Sequence, residues 1–250
     1  MRRVVVTGLG IVSPIGNTAA EVDAALRAGK SGIEAVPAMI EHGFRSQIAG
    51  TLKIDVAEHV DKRALRFMGP GAAYAHIAMG QAIADAGLEE SDVVNPRTGL
   101  IAGSGGPSTS AMFAAHQTVL SSGSPKRIGP FAVPKCMSST ISANLATAYQ
   151  IKGINYSITS ACSTSLHCIG VATEQIMMGK QDVMFAGGGF AFGNYQLVPG
   201  FATNIGWTGL LVALVAREKA LIALMLSGSA MATSRRRPSR HRGKISCSLA

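Results

Sequence analysis

The fold of this chain is decided by one continuous stretch: residues 155–165 read NYSITSACSTS, residues 166–180 read LHCIGVATEQIMMGK, and residues 182–189 read DVMFAGGG. Side chains alternate over residues 156–159 as they do in a short strand. Small polar residues follow, typical of the start of a helix, and apolar residues then recur at helical spacing until Gly179 ends the pattern. Residues 183–186 indicate a second strand. The stretch therefore predicts a strand, a tight turn, a helix and a strand, with Cys162 in the turn.

Cys162 lies where a thiol would be activated as a nucleophile. A helix N-terminus presents unpaired backbone N–H groups and the positive end of the helix dipole, and both favour the thiolate form of a cysteine. The same N–H groups can bind the oxyanion of a tetrahedral intermediate. The alternative is that Cys162 is a small buried residue in a turn of small residues, and the local pattern alone does not choose between the two.

The motif around Cys162 resembles the nucleophile motif of the β-ketoacyl-acyl carrier protein synthases. Residues 160–165, SACSTS, carry the resemblance, and the flanking residues 155–159 and 179–189 match as well. The similarity is strongest to the type I synthases of bacterial fatty acid elongation and extends over residues 1–189. It implies an acyltransferase with a thiolase-like, layered αβαβα fold, of which this chain would hold the N-terminal half.

The reaction that the resemblance implies is a decarboxylating Claisen condensation. An acyl group would pass from the phosphopantetheine thiol of an acyl carrier protein to Cys162, the implied catalytic residue. Malonyl-acyl carrier protein would then lose CO2, and its enolate would attack the acyl thioester. The resemblance implies no metal and no bound cofactor, and its implied partners are the acyl carrier protein and a second copy of the chain in a homodimer.

Two more residues receive a substrate-binding role from the resemblance. Gly106 belongs to the glycine-rich loop of residues 103–107, which would border the acyl pocket. This loop lacks the Lys-Ser/Thr pair of a phosphate-binding P-loop, and a plain turn after a strand is its simpler interpretation. Met137 would reach the acyl pocket of the partner subunit, and the alternative for Met137 is a place in the core.

The rest of the chain up to Gly189 has the pattern of an α/β protein. Short apolar segments recur along it, each followed by glycines and a helix. The predicted strands are residues 2–7, 46–52 (an edge strand) and 98–102. The predicted helices are residues 17–26, 62–86 (with an interruption near Pro70), 108–121 and 140–151. Residues 122–134 are predicted as a loop, in which Pro130 and Pro134 break regular structure. The Gly8-Leu9-Gly10 segment is half of a dinucleotide-binding fingerprint, but no acidic residue follows a second strand at the required distance. A turn is therefore favoured there.

The basic charge of the chain is concentrated in its C-terminal part. The 250 residues include 23 Lys and Arg and 14 Asp and Glu, for a net charge of +9. Residues 190–250 hold eight of those basic residues and one of the acidic ones, so residues 1–189 are nearly neutral. The basic tail has no interleaved aromatic residues on which bases could stack. No apolar run of 18 residues occurs before residue 190. We therefore expect no nucleic-acid partner and no membrane span.

The cysteines favour a reducing compartment. The four cysteines form no CxxC pair and no Cys/His metal spacing, so neither a disulfide framework nor a metal site is predicted. The N-terminal Arg2-Arg3 is followed by only three valines, which is too short for the apolar region of a signal peptide. The sequence therefore predicts a cytoplasmic location.

The resemblance stops after Gly189. The second half of these synthases supplies two histidine motifs, a lysine and a late glycine-rich turn, and none of these occurs in residues 190–250. His167 and His241 lie outside the family motifs and receive no catalytic role. We therefore divide the chain into an N-terminal synthase half, residues 1–189, and an unmatched tail, residues 190–250, which is apolar and then Arg-rich.

Two explanations account for this tail. A reading-frame shift near codon 190 would have replaced the second half with unselected, poorly ordered sequence, whereas a genuine short paralogue would have acquired a new tail. In the first case we expect a synthase that is impaired in condensation. The alternative function is a non-catalytic half-synthase that binds or regulates a full-length synthase.

Overall fold

The computed structural model describes residues 2–189 and 210–215. Its strands are β1 (Val5–Ile11), β2 (Ile33–Ala35), β3 (Ile48–Gly50), β4 (Thr98–Ser104), β5 (Asn155–Tyr156), β6 (Val183–Gly189) and β7 (Leu210–Val215). Its helices are α1 (Ala19–Arg27), α2 (Pro37–Glu41), α3 (Lys62–Leu65), α4 (Pro70–Asp85), α5 (Glu90–Val93), α6 (Thr109–Ser122), α7 (Ala132–Cys136), α8 (Thr140–Ala148) and α9 (Thr164–Met177). None of the helices in these ranges is long and apolar enough to cross a bilayer. Apart from β7, the predicted tail lies outside the described residues.

A five-stranded sheet organises the described residues, with the strand order β1-β7-β6-β4-β5. Strand β4 is parallel to both β5 and β6, and its register with β6 runs from Thr98 opposite Val183 to Ser104 opposite Gly189. Strand β7 is antiparallel to β1 and to β6. A parallel pair of strands needs a crossover connection, and α9 makes that connection between β5 and β6. The sheet therefore confirms the predicted unit around Cys162.

Helices cover both faces of this sheet because side chains alternate along its strands. In β4 and β6, Leu100 and Phe185 belong to one core cluster, together with buried residues of α4 and α8. Their neighbours Ile101 and Met184 belong to a second cluster, which includes buried residues of α9. The described residues thus form three layers, helix, sheet and helix, and Cys162 lies at the N-terminal end of the helix on the second face.

The close packing of α4 on β1 explains two of the N-terminal glycines. A Cβ atom on Gly10 would lie 1.7 Å from the Ala78 carbonyl oxygen, and one on Gly8 would lie 2.2 Å from the Ala82 oxygen. Both Ala78 and Ala82 are buried in α4, whose small residues bring its backbone against the strand. Gly8 and Gly10 therefore serve helix–strand contact inside β1. The prediction that these glycines end the strand in a turn is wrong.

Residues 46–52 are predicted as an edge strand, and the structure confirms a strand there, since β3 pairs with β2 in a two-stranded sheet whose two strands are both edges. Two further elements differ from their predictions. Strand β5 is shorter than predicted because the Ser157 hydroxyl donates to the Ala102 carbonyl at 2.7 Å, which occupies the next acceptor along β4. Pro134 does not break regular structure, because it lies in the first turn of α7. Backbone N–H groups in a first turn have no partner within the helix, so the N–H group that proline lacks costs no hydrogen bond there.

Candidate active site

Cys162 lies in a 3-10 turn, Ala161–Ser163, between β5 and α9. Its side chain is exposed, which contradicts the alternative of a buried structural cysteine. Ala161, directly before it, has φ +50°. A residue other than glycine is destabilised by about 1 kcal/mol or more in this left-handed region. The chain thus reverses sharply just before Cys162 and presents its thiol on the surface beside the start of α9.

Four hydrogen bonds hold this turn. The Ser160 amide donates to Thr164 Oγ1 at 2.9 Å, and the Thr164 hydroxyl donates to the Ala161 carbonyl at 2.8 Å. The Ser163 amide donates to the Ser160 carbonyl at 3.0 Å. Ser160 Oγ and His167 Nδ1 share a hydrogen bond of 2.6 Å, in which the tautomer of the imidazole decides the donor. Two residues of α9 therefore brace the two residues that precede Cys162.

The start of α9 suits developing negative charge. Within the described residues, its N-cap, Ser163, makes no side-chain hydrogen bond to the helix, and no acidic residue lies in the first turn. An uncapped helix start carries the positive end of the helix dipole. An oxyanion that forms on a group bonded to Cys162 would therefore lie in a favourable field.

The three described cysteines differ in how accessible their thiols are. Cys162 is exposed, Cys136 is half-buried and Cys168 is buried. Burial in the apolar cluster on the α9 side of the sheet raises the pKa of Cys168 to about 11, because a thiolate there would lose its hydration. Cys168 is therefore a neutral thiol at physiological pH. Only Cys162 among these three combines exposure with a helix start.

Gly106 and Met137 lie on the same surface hollow, although they are 31 residues apart in the chain. The hollow is also lined by Gly69, Ser104, Ser108, Lys135 and Ile141. Met137 is 51% exposed, so the alternative of a core methionine is wrong. A Cβ on Gly106 would have no atom within 4 Å among the described residues, so its surroundings are open. Cys162 is not among the described residues that line this hollow.

Hydrogen bonds connect the hollow to the turn that carries Cys162. The Thr159 hydroxyl, three residues before Cys162, donates to Ser138 Oγ at 3.1 Å, and Ser138 follows Met137 directly. Ser157 Oγ, which donates to Ala102, accepts from Ser142 Oγ in α8 at 2.6 Å and lies 3.2 Å from the Ser139 carbonyl oxygen. The segment that carries Met137 and the segment that leads to Cys162 are therefore held side by side by hydroxyl groups.

Sequence reasoning assigns no role to His167 and no individual role to Ser160, yet the two side chains contact each other in the turn. Ser160 lies outside α9, and the left-handed Ala161 reverses the chain between the two residues. Helical spacing therefore does not relate them, and no local pattern in the sequence signals the pair.

Edge strand β5 and the helix that follows it carry exposed apolar side chains, which together are called the exposed apolar surface at β5. Strand β5 is the last strand on its side of the described sheet, and its Tyr156 is 40% exposed. Leu166, on the first turn of α9, is 69% exposed. Other exposed apolar residues come from α6, α7 and the segment after it: Met112, Phe113, Leu120, Val133 and Met137. An edge strand that bears an exposed apolar side chain is a place where another chain can pair.

Comparison with known protein families agrees with this geometry. A family model described as the β-ketoacyl synthase N-terminal domain matches residues 1–203. The chain belongs to the β-ketoacyl synthase family. The match runs past Gly189, and the boundary of the synthase half at that residue stays a prediction.

Curated relatives of this β-ketoacyl synthase chain are named 3-oxoacyl-[acyl-carrier-protein] synthases. The chain is 55% identical over 188 residues to 3-oxoacyl-[acyl-carrier-protein] synthase 1 of Haemophilus influenzae, which covers 75% of this chain and 46% of that protein. It is 50% identical over 190 residues to the enzyme of the same name from Escherichia coli strain K12, which covers 76% of this chain and 47% of that protein. The chain thus spans about half the length of the curated relatives it matches.

Solved structures confirm the fold. A β-ketoacyl synthase from Burkholderia phymatum STM815 is similar with a TM-score of 0.71 and 28% identity over 89% of this chain and 62% of that one. The ishigamide ketosynthase/chain length factor is similar with a TM-score of 0.72 at 23% identity over 88% and 61% of the two chains. The type II ketosynthase AntDE, in complex with its acyl-carrier protein AntF, has a TM-score of 0.68 at 18% identity over 87% and 63%. The thiolase-like fold predicted from the sequence is therefore confirmed, and the described residues form part of it.

Proposed function

We propose that this chain carries out the acyl-transfer step of a β-ketoacyl synthase, with Cys162 as the nucleophile. The observation that carries the proposal is the exposed thiol of Cys162, which follows a left-handed residue at the uncapped start of α9. The curated relatives bear the name of a synthase that forms carrier-bound 3-oxoacyl groups, which supports this reaction class.

The proposed step is a thioester exchange. Cys162 Sγ attacks the carbonyl carbon of an acyl thioester and gives a tetrahedral oxyanion, which the start of α9 stabilises. The carbon–sulfur bond to the carrier then breaks. The carrier thiol leaves with the proton that Cys162 lost, and the acyl group remains on Cys162. No metal or bound cofactor takes part in this exchange.

We propose an acyl carrier protein as the donor and the hollow at Gly106 and Met137 as the place that borders the acyl chain. The names of the curated relatives support the donor, as does the complex of the structurally similar AntDE with its carrier protein. The hollow supports the second assignment because it brings these two residues together beside the segment that leads to Cys162.

Free thiols at all three described cysteines support a reducing, cytoplasmic setting.

The proposal limits this chain to acyl transfer. The family resemblance assigns decarboxylation and condensation to two histidine motifs and a lysine of the second half, and residues 190–250 do not contain them. We therefore expect an acylated chain that does not release a β-ketoacyl product from malonyl-acyl carrier protein.

Intact-mass spectrometry of the 250-residue chain tests the proposal. After incubation with octanoyl-acyl carrier protein, we expect the mass of one octanoyl group on the chain. We expect none on Cys162→Ala, and an unchanged adduct on the matched variant Cys136→Ser, whose thiol is only half-buried. An adduct that persists in Cys162→Ala would refute the assignment, as would an unmodified native chain whose Cys162 still reacts with iodoacetamide.

We also propose that the exposed apolar surface at β5 binds a second copy of the chain. Within the described sheet β5 is an edge strand, which can pair with another chain, and Tyr156 on it is 40% exposed, as Leu166 (69%) and Met137 (51%) are on the segments bonded or connected to it. Size-exclusion chromatography with light scattering should give a dimer, and Leu166→Glu should shift it to a monomer. A native chain that stays monomeric at about 50 μM would contradict the dimer, because the dissociation constant of a stable interface of standard size lies below that concentration. The same surface serves the alternative function, because a half-synthase could pair through it with a full-length synthase.

A further inference from the structure

The side chain of Ser160 is held by a residue to which the sequence gives no role. The backbone of Ser160 is bonded at both ends, through its amide to Thr164 Oγ1 and through its carbonyl to the Ser163 amide. Its hydroxyl is bonded to His167 Nδ1 at 2.6 Å. Among the described residues, His167 is thus the group that fixes the side chain at the entrance to the turn of Cys162.

The position of His167 on α9 explains how it reaches Ser160. Side chains of an α-helix point back toward its N-terminus, so a residue at the start of the second turn lies over the first turn. His167 occupies this position three residues after Thr164, which bonds both Ser160 and Ala161. The imidazole is on the surface of the helix and outside the core clusters. Its hydrogen bond to Ser160 therefore stabilises the turn and contributes little to the packing of the layers.

The turn needs such bonds because Ala161 is strained. Its φ of +50° is unfavourable for a residue with a Cβ atom, and the chain leaves that conformation unless neighbouring contacts hold it. The contribution of one hydrogen bond is comparable to this strain. Loss of the Ser160–His167 bond should therefore let the turn populate other conformations, in which Cys162 is not directed to the same place.

We propose that His167 is a positioning residue for Cys162. Through Ser160 it holds the strained turn in the conformation that presents the thiol for attack. The relevance of this positioning to acyl transfer rests on the proposed function, but the positioning itself can be measured without an acyl donor.

The test is the rate constant for alkylation of Cys162 by iodoacetamide in the 250-residue chain, followed by peptide mass spectrometry. In this reaction the new carbon–sulfur bond forms, iodide leaves and the thiol proton passes to the solvent. His167→Leu removes the hydrogen bond and should slow alkylation by about 3- to 10-fold. His167→Asn places a polar atom near the position of Nδ1 and should restore the rate to within about 2-fold, since it can remake the same hydrogen bond. His167→Gln places its polar atoms farther out and should stay as slow as His167→Leu.

The matched variant Ser160→Ala removes the same bond from its other end. It should slow alkylation as much as His167→Leu does, and adding His167→Leu to it should have no further effect. Buried Cys168 reports on the fold in every variant, because it should remain unlabelled while the layers are intact. If His167→Leu alone exposes Cys168, Ser160→Ala becomes the deciding variant.

Several outcomes would overturn the inference: rates unchanged or raised in His167→Leu, His167→Asn no better than His167→Gln, or additive effects of Ser160→Ala and His167→Leu. The proposed function fails separately. A native chain whose alkylation depends on His167 but which accepts no octanoyl group would retain the positioning role and lose the acyl-transfer role.

Discussion

Cys162 and Cys168 are six residues apart in one turn-and-helix unit, and their surroundings are opposite. Cys162 is exposed in a strained turn braced by hydroxyl and imidazole groups. Cys168 is 0% exposed in an apolar cluster between α9 and the sheet. A cysteine side chain is thus a candidate nucleophile at position 162 and a buried member of the core at position 168. The comparison shows that the turn before the helix, and not the presence of a cysteine, creates the candidate site.

The largest effect expected from this contrast is in the alkylation rates of the two thiols. Burial raises the pKa of Cys168 to about 11, so at pH 8 about one in a thousand of its thiols would be ionised even if solvent reached it. We expect iodoacetamide to modify Cys162 at least about 100-fold faster than Cys168 in the native chain, because only the thiolate reacts and only Cys162 is accessible. Site-resolved peptide mass spectrometry over a time course measures both rates.

The control for this contrast is the same time course in 6 M urea or a similar denaturant. There the two rates should approach each other, since unfolding exposes both thiols to water. Equal rates in the native chain would show that α9 does not pack on the sheet in solution as it does in the structure.

The next largest effect is the contribution of Cys168 to stability at alkaline pH. Its pKa is raised in the folded state from 9.0 to about 11, so the folded chain holds the thiol proton more tightly than the unfolded chain does. The stability that this provides is fully present below pH 9 and is lost as the pH rises toward 11. We expect the free energy of unfolding to fall by about 2 kcal/mol between pH 8 and pH 10.5 from this thiol.

Urea unfolding at these two pH values measures the loss, and the difference between variants isolates its source. Cys168→Ala should reduce the pH dependence by that amount. Burial also raises the pKa of Tyr149, to about 12, but this contribution is common to all the variants and cancels in the comparison. A pH dependence that survives Cys168→Ala unaltered would place Cys168 in contact with solvent.

Much of this contrast could be predicted from the sequence, because it depends on local pattern. The helical spacing of apolar residues after Cys162 indicates α9, and the small polar residues before it indicate the turn, so the position of Cys162 follows from neighbours in the chain. The structure confirms the strand, turn, helix and strand.

The remaining features could not be predicted because they depend on groups that are distant in sequence or on backbone detail. Gly106 and Met137 share a hollow only because α8 lies beside β4, which no local period encodes. The early end of β5 depends on one hydroxyl that takes a strand acceptor. The bond between Ser160 and His167 requires the left-handed conformation of Ala161, which propensity would assign to glycine.

The smallest effect separates the strain of the turn from the stability of the helix. Ala161→Gly should raise the free energy of unfolding by about 0.5–1 kcal/mol, because glycine adopts φ +50° without strain and the gain exceeds its extra freedom in the unfolded chain. The matched change is Gly170→Ala, on an exposed face of α9 where a new Cβ meets nothing within 4 Å among the described residues. It should stabilise by a similar amount of about 0.5–1 kcal/mol through helix propensity.

Equal gains in stability should nevertheless have different consequences for Cys162. Gly170→Ala should leave its alkylation rate unchanged, since the turn is not altered. Ala161→Gly should instead reduce the slowing that His167→Leu causes when the two changes are combined, because a turn without strain at residue 161 keeps its conformation without the Ser160–His167 bond. Urea unfolding and iodoacetamide labelling of the variants measure these effects. If Ala161→Gly destabilises the chain, the left-handed conformation of Ala161 is not the one adopted in solution. The two cysteines would then differ in solvent exposure, and the strained turn would no longer be part of the contrast between them.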